Sequence, residues 1–268
     1  MPPYFDAHNH LQEEVLIPHL DGVMQRARAA GVARMVCNGT HEGDWQRVLD
    51  LSRKYEEIIP CFGLHPWFVK DRSPDWLRRL ESFLDQTPSA VGEIGLDRYV
   101  PDRDEVAQEE VFRVQLDLAM RRNLPVMIHC LKAWGWLLRV LESDGPPPAG
   151  MVIHAYGGSA ELLPQLAAMG AWFSFAGSVL DERHARARGA LKQVGPERLL
   201  VESDAPAMPP PQEFREHMVV GEGGEEYNEP ANLPAILRGV AEVRGDREED
   251  LRRICWENGE RFSAAWQA

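Results

Sequence analysis

Short apolar runs recur at roughly thirty-residue spacing along the chain, and amphipathic helical patterns lie between them. The apolar runs predict eight strands, at Tyr4–Leu11, Ala33–Gly39, Ile58–Pro66, Ala90–Asp97, Pro125–Cys130, Gly150–Tyr156, Ala171–Gly177 and Arg198–Pro206. The helical patterns include Asp75–Gln86, Asp104–Asn123, Ala133–Glu142, Ser159–Met169, Pro230–Arg244 and Arg247–Trp266.

The alternation of strands and helices indicates parallel strands joined by crossover helices. Eight such units predict the α/β class and a single (β/α)8 TIM barrel that forms one domain over residues 1–268. The uncharged stretch Leu162–Leu180 contains Pro164 and Gly170, which favours a buried helix, a turn and a strand over a membrane span. A long Pro-rich loop, Ala205–Glu229, follows the last strand.

The charge balance narrows the function classes. The chain has 42 acidic and 29 basic residues and a net charge of -13. This argues against a general nucleic-acid coat protein, whose affinity comes from Lys and Arg on phosphates. An enzyme that holds one phosphate through metal ions stays possible. The acidic stretch Glu222–Glu229 is most simply a solvated loop.

The cysteines and the N-terminus bear on cellular location. Four scattered cysteines without a C-x-x-C pair favour reduced thiols in a cytoplasmic protein. The N-terminal sequence has neither the basic nor the apolar region of a signal peptide. We expect no association with a membrane and no obligate protein partner.

Metal-binding side chains occur at the predicted carboxyl ends of five strands, where barrel active sites form. They are His8, His10, Glu93, His129, His154 and Asp204. Each one alone is most simply a structural histidine, a helix cap or a loop residue. Together they favour a metal site, because ionisable groups there need pairing or a metal to offset their desolvation.

The ligand set contains nitrogen and oxygen donors without a thiolate cluster. This suits one or two divalent ions such as Zn, Mg, Mn, Ni or Co. Six ligands exceed what one tetrahedral zinc uses and fit two ions that share a bridge. Glu93 is the bridging candidate, because a carboxylate has two oxygens.

Seven motifs resemble the successive signatures of the TatD-type metal-dependent deoxyribonuclease family, within the amidohydrolase superfamily. They are DAHNHL, GLHPW, VGEIGLD, HCLKAW, HAYGGS, RLLVESDAP and NEPANLP. The resemblance as a whole covers Tyr4 to about Phe262. The resemblance implies a TIM barrel with one or two divalent metals. It also implies that His8, His10, Glu93 and Asp204 hold one ion, and that Glu93, His129 and His154 hold the other.

The resemblance also points to substrate-binding residues. His65 matches a family histidine near the substrate phosphate, and Lys132 is a second candidate for holding the phosphate or the leaving oxygen. Many relatives have a second histidine two positions after the one that matches His65, where this chain has Trp67. Trp67 is therefore a candidate for stacking on a base. Glu202 is expected to support the metal ligands from one layer deeper.

We therefore predict a metal-dependent hydrolase that cleaves DNA phosphodiester bonds from an end, with single strands or frayed ends as substrates. Asp204 and Glu93 are the predicted catalytic residues, and Asp204 also accepts the proton of the attacking water. Two alternatives stay open. One is an ester or amide hydrolase, for example a D-aminoacyl-tRNA deacylase, and the other is a non-catalytic scaffold with structural metal.

Overall fold

The computed structural model describes residues 1–264. Eight parallel strands form one sheet in the order β1 to β8. The strands are β1 Tyr4–Asn9, β2 Val32–Asn38, β3 Ile58–Phe62, β4 Ala90–Asp97, β5 Val126–Leu131, β6 Met151–Ile153, β7 Ala171–Phe175 and β8 Leu199–Val201.

Helices follow the strands in alternation. They are α1 Leu20–Ala29, α2 Trp45–Lys54, α3 Trp76–Leu84, α4 Glu105–Arg122, α5 Trp134–Asp144, α6 Leu163–Ala168, α7 Ala185–Leu191, α8 Leu233–Arg244 and α9 Glu248–Ser263. The predicted end of the last helix at Trp266 lies outside the described residues.

The chain divides into two compact units. The first contains Met1–Cys37, Ala155–Leu163 and Phe173–Arg261, and with them β1, β8 and most of β2 and β7. Within it, β8 connects back to β1, because Asp204 donates its backbone N–H to His8 and His10 donates to Ala205. Together with the sequential strand order, this connection confirms the predicted (β/α)8 topology.

The second unit contains Asn38–His154, Pro164–Trp172 and residues 262–264, and with them β3 to β6. Its strands β4 and β5 pair over most of their length, from Val91 opposite Val126 to Asp97 opposite Leu131. Both strands are largely buried, as expected for parallel strands that are covered on both faces.

Two predictions about acidic residues need correction. Glu93 was expected to end its strand, but it is the fourth residue of β4, which continues to Asp97. The stretch Glu222–Glu229 is not entirely a solvated loop, because residues 226–227 pair with residues 219–220 in a hairpin and Glu229 is fully buried. Glu229 accepts two hydrogen bonds from Arg26, and this pairing explains how an acidic residue is buried there.

The uncharged segment forms α6, a turn at Gly170 with positive φ, and β7 in the predicted order. The helix is not buried as a whole, because only Leu163 and Leu166 of α6 are buried. Among the helices of residues 1–264, none has the length and apolar character needed to cross a membrane. All four cysteines are buried and carry free thiols. The cytoplasmic location stays a prediction.

Candidate metal centre

The first cluster lies in the first unit, where β1 and β8 end. His8 lies on β1, His10 directly follows that strand, and Asp204 lies in the turn after β8. The Nε2 atoms of His8 and His10 are 3.1 Å apart. Oδ1 of Asp204 is 3.8 Å from the first of these nitrogens and 3.7 Å from the second.

The turn after β8 is fixed by buried polar groups that place the Asp204 side chain. The backbone of Asp204 has a positive φ of 52°, which a residue with a Cβ rarely adopts. Next to it, Ser203 donates its N–H and its hydroxyl to Asp6, and the Ser203 carbonyl accepts from Asn228. These hydrogen bonds stabilise the strained conformation.

Asp6 is fully buried on β1, and its hydrogen-bond donors are neutral. Burial raises the pKa of its carboxyl to about 7, although hydrogen bonds from Ser203 and Asn9 lower it. Glu202, which was expected one layer deeper, is also fully buried, and its Oε1 accepts from the backbone of Ala155 at 2.8 Å. The first unit therefore buries several carboxylates beside two histidines.

The three atoms of the first cluster have the spacing of ligands around one ion. A triangle with their separations has its centre about 2.1 Å from each corner, which is the length of Zn–N and Zn–O bonds. The donors are two imidazole nitrogens and a carboxylate, which first-row divalent metals accept. His8, His10 and Asp204 therefore fit a divalent ion.

The second cluster lies in the second unit and is centred on Glu93. Its Oε1 is 2.7 Å from His154 Nε2 and 3.0 Å from His129 Nδ1, and these two nitrogens are 3.2 Å apart. Glu93 lies on β4, His129 lies on β5 and His154 follows β6, so three neighbouring strands each supply one donor. A point about 2.1 Å from all three atoms lies to one side of their plane, so this set also fits a divalent ion.

The ring of His129 is oriented by Asp97, the last residue of β4. His129 Nε2 is 3.0 Å from Asp97 Oδ2, so this nitrogen donates its proton and Nδ1 keeps its lone pair for an ion. Burial raises the pKa of Asp97, but hydrogen bonds from His129 and Trp67 outweigh it and lower the pKa to about 2. Burial lowers the pKa of His129, but in the protein without an ion the hydrogen bonds from Nε2 to Asp97 and from Nδ1 to Glu93 outweigh it and raise the pKa. An ion bound at Nδ1 would take the place of the proton shared with Glu93.

His65 is close to Glu93 but has a different role. Its Nε2 is 3.4 Å from Glu93 Oε1, and it groups with Glu93 and His129 within ligand-to-ligand distance. However, its Nδ1 accepts a hydrogen bond from the backbone N–H of Trp67, so the neutral ring carries its proton on Nε2. His65 is therefore a hydrogen-bond donor rather than a metal ligand, which suits the predicted contact with a phosphate.

The other two predicted substrate-binding residues are accessible. The Trp67 side chain is exposed, and its indole N–H donates to Asp97 Oδ2 at 2.7 Å. Lys132 is exposed just after β5, and its Nζ lies 4.6 Å from the centre of the Tyr99 ring. In the second unit, the structure thus places Trp67 one hydrogen bond away from the carboxylate that orients His129.

Several supporting residues were missed by the sequence analysis. Asp97 shares the face of β4 that carries Glu93, since positions separated by an even number of residues point the same way, and this pattern could have identified it. Gln108 and Gln115 are buried on α4, seven residues apart, on a face that otherwise reads as apolar. Each of these two side chains makes a pair of hydrogen bonds to a backbone segment beside the site.

Comparison with known proteins shows a match over nearly the whole chain. The family model described as TatD related DNase matches residues 5–263. A Pantoea ananatis protein named 3'-5' ssDNA/RNA exonuclease TatD is 35% identical over 254 residues, which cover 93% of this chain and 95% of that protein. The Bacillus subtilis uncharacterized metal-dependent hydrolase YabD is 30% identical over 261 residues, covering 96% and 98% respectively. The crystal structure of YJJV, a TatD homolog from Escherichia coli, matches with a TM-score of 0.87 and 26% identity over 97% of each chain.

Proposed function

Because the chain belongs to the TatD-related DNase family of metal-dependent hydrolases, we propose that it removes nucleotides from the ends of single-stranded DNA. The observation that carries this proposal is the pair of nitrogen- and oxygen-donor clusters, together with an exposed tryptophan that is hydrogen bonded to the carboxylate behind one of the ligands. The relative from Pantoea ananatis, whose name states an exonuclease activity on single strands, supports the same substrate class.

The residues divide into ligands and groups that contact substrate. His8, His10 and Asp204 hold one ion, and Glu93, His129 and His154 hold another. A bound divalent ion would lower the pKa of a coordinated water and would neutralise charge on phosphoryl oxygens. The bridging role of Glu93, inferred from the sequence, stays a prediction.

Proton transfer and phosphate binding fall to side chains of the chain itself. Asp204 accepts the proton of the attacking water, since its carboxylate is largely buried and held by a rigid turn. His65 donates its Nε2 proton to a phosphate oxygen, and its own Nδ1 contact with Trp67 fixes that tautomer. The ammonium of Lys132 binds a neighbouring phosphate.

The charge of the chain favours a single-stranded end over the interior of a duplex. With a net charge of -13, the surface has little basic area with which to hold or bend a long duplex. Stacking of unpaired bases on an aromatic ring is sequence-tolerant and needs no basic surface. We therefore expect few phosphate contacts and a shallow salt dependence of binding.

The test compares cleavage of a single-stranded oligonucleotide, a blunt duplex and a covalently closed circle at two salt concentrations. The expected order is single strand, then duplex ends, with the circle uncut. A label at one end or the other of the oligonucleotide shows the direction of cleavage. RNA and aminoacyl-ester substrates are assayed in parallel. The substitution Asp204→Asn should abolish cleavage, whereas His184→Gln, at an exposed position far along the chain from the ligands, should leave it unchanged.

Three results would contradict the proposal. Faster cutting of the closed circle than of the single strand would indicate an endonuclease with a duplex-binding surface. Turnover of the ester alone would indicate an ester hydrolase. Intact metal binding without hydrolysis of any substrate would indicate a scaffold.

A further inference from the structure

Three parts of the second unit are attached to a single carboxylate. Asp97 Oδ2 accepts hydrogen bonds from the ring of His129 at 3.0 Å and from the indole of Trp67 at 2.7 Å. Asp97 Oδ1 accepts from the backbone N–H of Tyr99 at 2.5 Å. The main chain of Asp97 is fixed in turn, because its N–H and its carbonyl both bond to the buried side chain of Gln108.

The exposed surface of Trp67 is available for contact with a planar apolar group. The residue is 54% exposed, although its only polar side-chain atom is directed inward to Asp97. The exposed part is therefore aromatic carbon. A large exposed aromatic side chain that is already fixed by a hydrogen bond to a buried carboxylate loses little conformational entropy on binding.

A cation is held on the neighbouring residue. Tyr99 is 63% exposed, and the Nζ of Lys132 lies over its ring at 4.6 Å, within the range of a cation–π contact. The backbone of Tyr99 is itself bound to Asp97. The ammonium of Lys132 is thereby held on the ring of a residue whose backbone is bound to Asp97.

We propose that Asp97 is a positioning residue that fixes a nucleobase-stacking surface on Trp67 relative to the metal ligand His129, while Tyr99 holds Lys132 for the adjoining phosphate. The inference rests on the proposed function and specifies how the substrate is recognised. The occupant is one unpaired nucleotide, with its base on Trp67 and a phosphate near Lys132. Because every base has a π-face, recognition requires an unpaired base but no particular sequence.

The experiment measures equilibrium binding of an internally labelled phosphorothioate single strand, which resists hydrolysis, to the metal-loaded full chain. Two matched strands keep every phosphate but lack one base, which is the terminal base at the 5′ end in one strand and at the 3′ end in the other. For the wild type, loss of the base at the end that enters the site should weaken binding by about 5- to 150-fold. Trp67→Ala should weaken binding of the complete strand by a similar factor and should bind the abasic strand within twofold of the wild type.

Two substitutions test the positioning role. Trp67→Phe keeps an aromatic ring but has no N–H for Asp97, and Asp97→Asn cannot accept from all three donors at once. Both should lose most of the preference for the complete strand, and metal content and thermal midpoint are measured alongside to confirm folding. If Trp67→Phe keeps the full preference, Asp97 does not position the ring.

The charge on Lys132 has its own control. Lys132→Gln should weaken binding of the complete and the abasic strands equally. The control Lys192→Gln removes an exposed charge at the end of α7 and should change the binding of neither strand by more than twofold. If Lys132→Gln has no effect on either strand, the phosphate contact is wrong.

Hydrolysis of the natural strand is measured in parallel and separates this inference from the proposed function. If the wild type cleaves DNA but Trp67→Ala keeps the full preference for the complete strand, the inference is wrong and the nuclease assignment stands. If the wild type neither binds nor cleaves any strand, the nuclease assignment is wrong and this inference is wrong with it.

Discussion

The substitution Gln115→Leu tests how helix α4 supports the segment that carries His65. Gln115 is completely buried, and its side-chain amide pairs with the backbone of Leu64 as a neighbouring strand would. Its Oε1 accepts from the backbone N–H of Leu64 at 2.7 Å, and its Nε2 donates to the Leu64 carbonyl at 3.1 Å. Leucine has a similar volume but can make neither hydrogen bond.

The expected loss of stability follows from these two groups. Leu64 is itself buried, so water cannot replace either bond. A buried backbone group left without a partner costs about 1–3 kcal/mol, so two cost about 2–6 kcal/mol. Burying leucine in place of an amide offsets part of this. We expect the free energy of unfolding to fall by about 2–4 kcal/mol.

The assay is denaturant unfolding of the full chain in the presence of chelator, since bound ions would add stability by mass action. The control is Gln46→Leu on α2, where the exposed amide donates to Asp50 and the expected change is within about 0.5 kcal/mol. If Gln115→Leu unfolds with the free energy of the wild type, the paired hydrogen bonds to Leu64 do not support this segment.

A second substitution at this position gives a pH dependence. Gln115→Glu can accept from the Leu64 N–H, but it can donate to the Leu64 carbonyl only when protonated. The pKa of this carboxyl should therefore be higher in the folded state than in the unfolded state. A raised folded-state pKa means that its stability contribution is present at low pH and is lost as pH rises through that value. Unfolding midpoints measured at several pH values should show this variant losing stability relative to wild type as pH rises.

Other predictions concern the ligands and a buried ion pair. Glu93→Gln should lower the bound metal per chain and nearly abolish hydrolysis with an unchanged circular dichroism spectrum, and full activity with unchanged metal content would contradict its assignment. The rate of hydrolysis should fall in mild acid because protons compete with the metal for the ligand histidines, and added metal should shift this fall to lower pH. If added metal does not shift it, the fall is caused by protonation of a group other than the ligands. Arg26→Met should leave Glu229 buried without its partner and lower the free energy of unfolding by about 1–3 kcal/mol in denaturant titrations. This is less than for a fully buried ion pair, because solvent screens the Arg26 side chain, which is 40% exposed. An unchanged midpoint would show that Glu229 finds another partner.

The fold could be predicted because its signals are local. Each strand is a short apolar run bounded by turn residues, and β4 was predicted with its observed ends, Ala90 and Asp97. The predictions of β3, β6 and β8 extend several residues too far, and β6 and β8 are each three residues long in the structure. Both end where a residue adopts positive φ soon afterwards, at Ala155 and at Asp204, and an apolar run gives no sign of that change.

The candidate ligands could be found for a related reason: a polar residue in or next to an apolar run is conspicuous. The residue pattern alone does not separate a ligand from a hydrogen-bond donor, and for His65 the contact with a phosphate was indicated only by the resemblance to the family. The residue type of His65 and its position in the sequence also fit a ligand. The hydrogen bond from the Trp67 backbone N–H to its Nδ1 is what leaves the proton on Nε2 and makes His65 a donor. That bond depends on the turn at residues 66–68, which the sequence pattern does not predict.

Two buried glutamines show how neutral side chains fix the backbone beside the candidate site in the second unit. Gln108 and Gln115 lie two helical turns apart on α4, so both face the sheet, and each makes paired hydrogen bonds to one backbone segment. The first fixes the residue that orients His129, and the second fixes the residue before His65. A neutral amide satisfies one donor and one acceptor at once and carries no charge to desolvate, so it holds strand ends in place at a lower cost than an ion pair. Because α4 holds both segments, a shift of this helix would move the base of the Trp67 surface and the phosphate donor together.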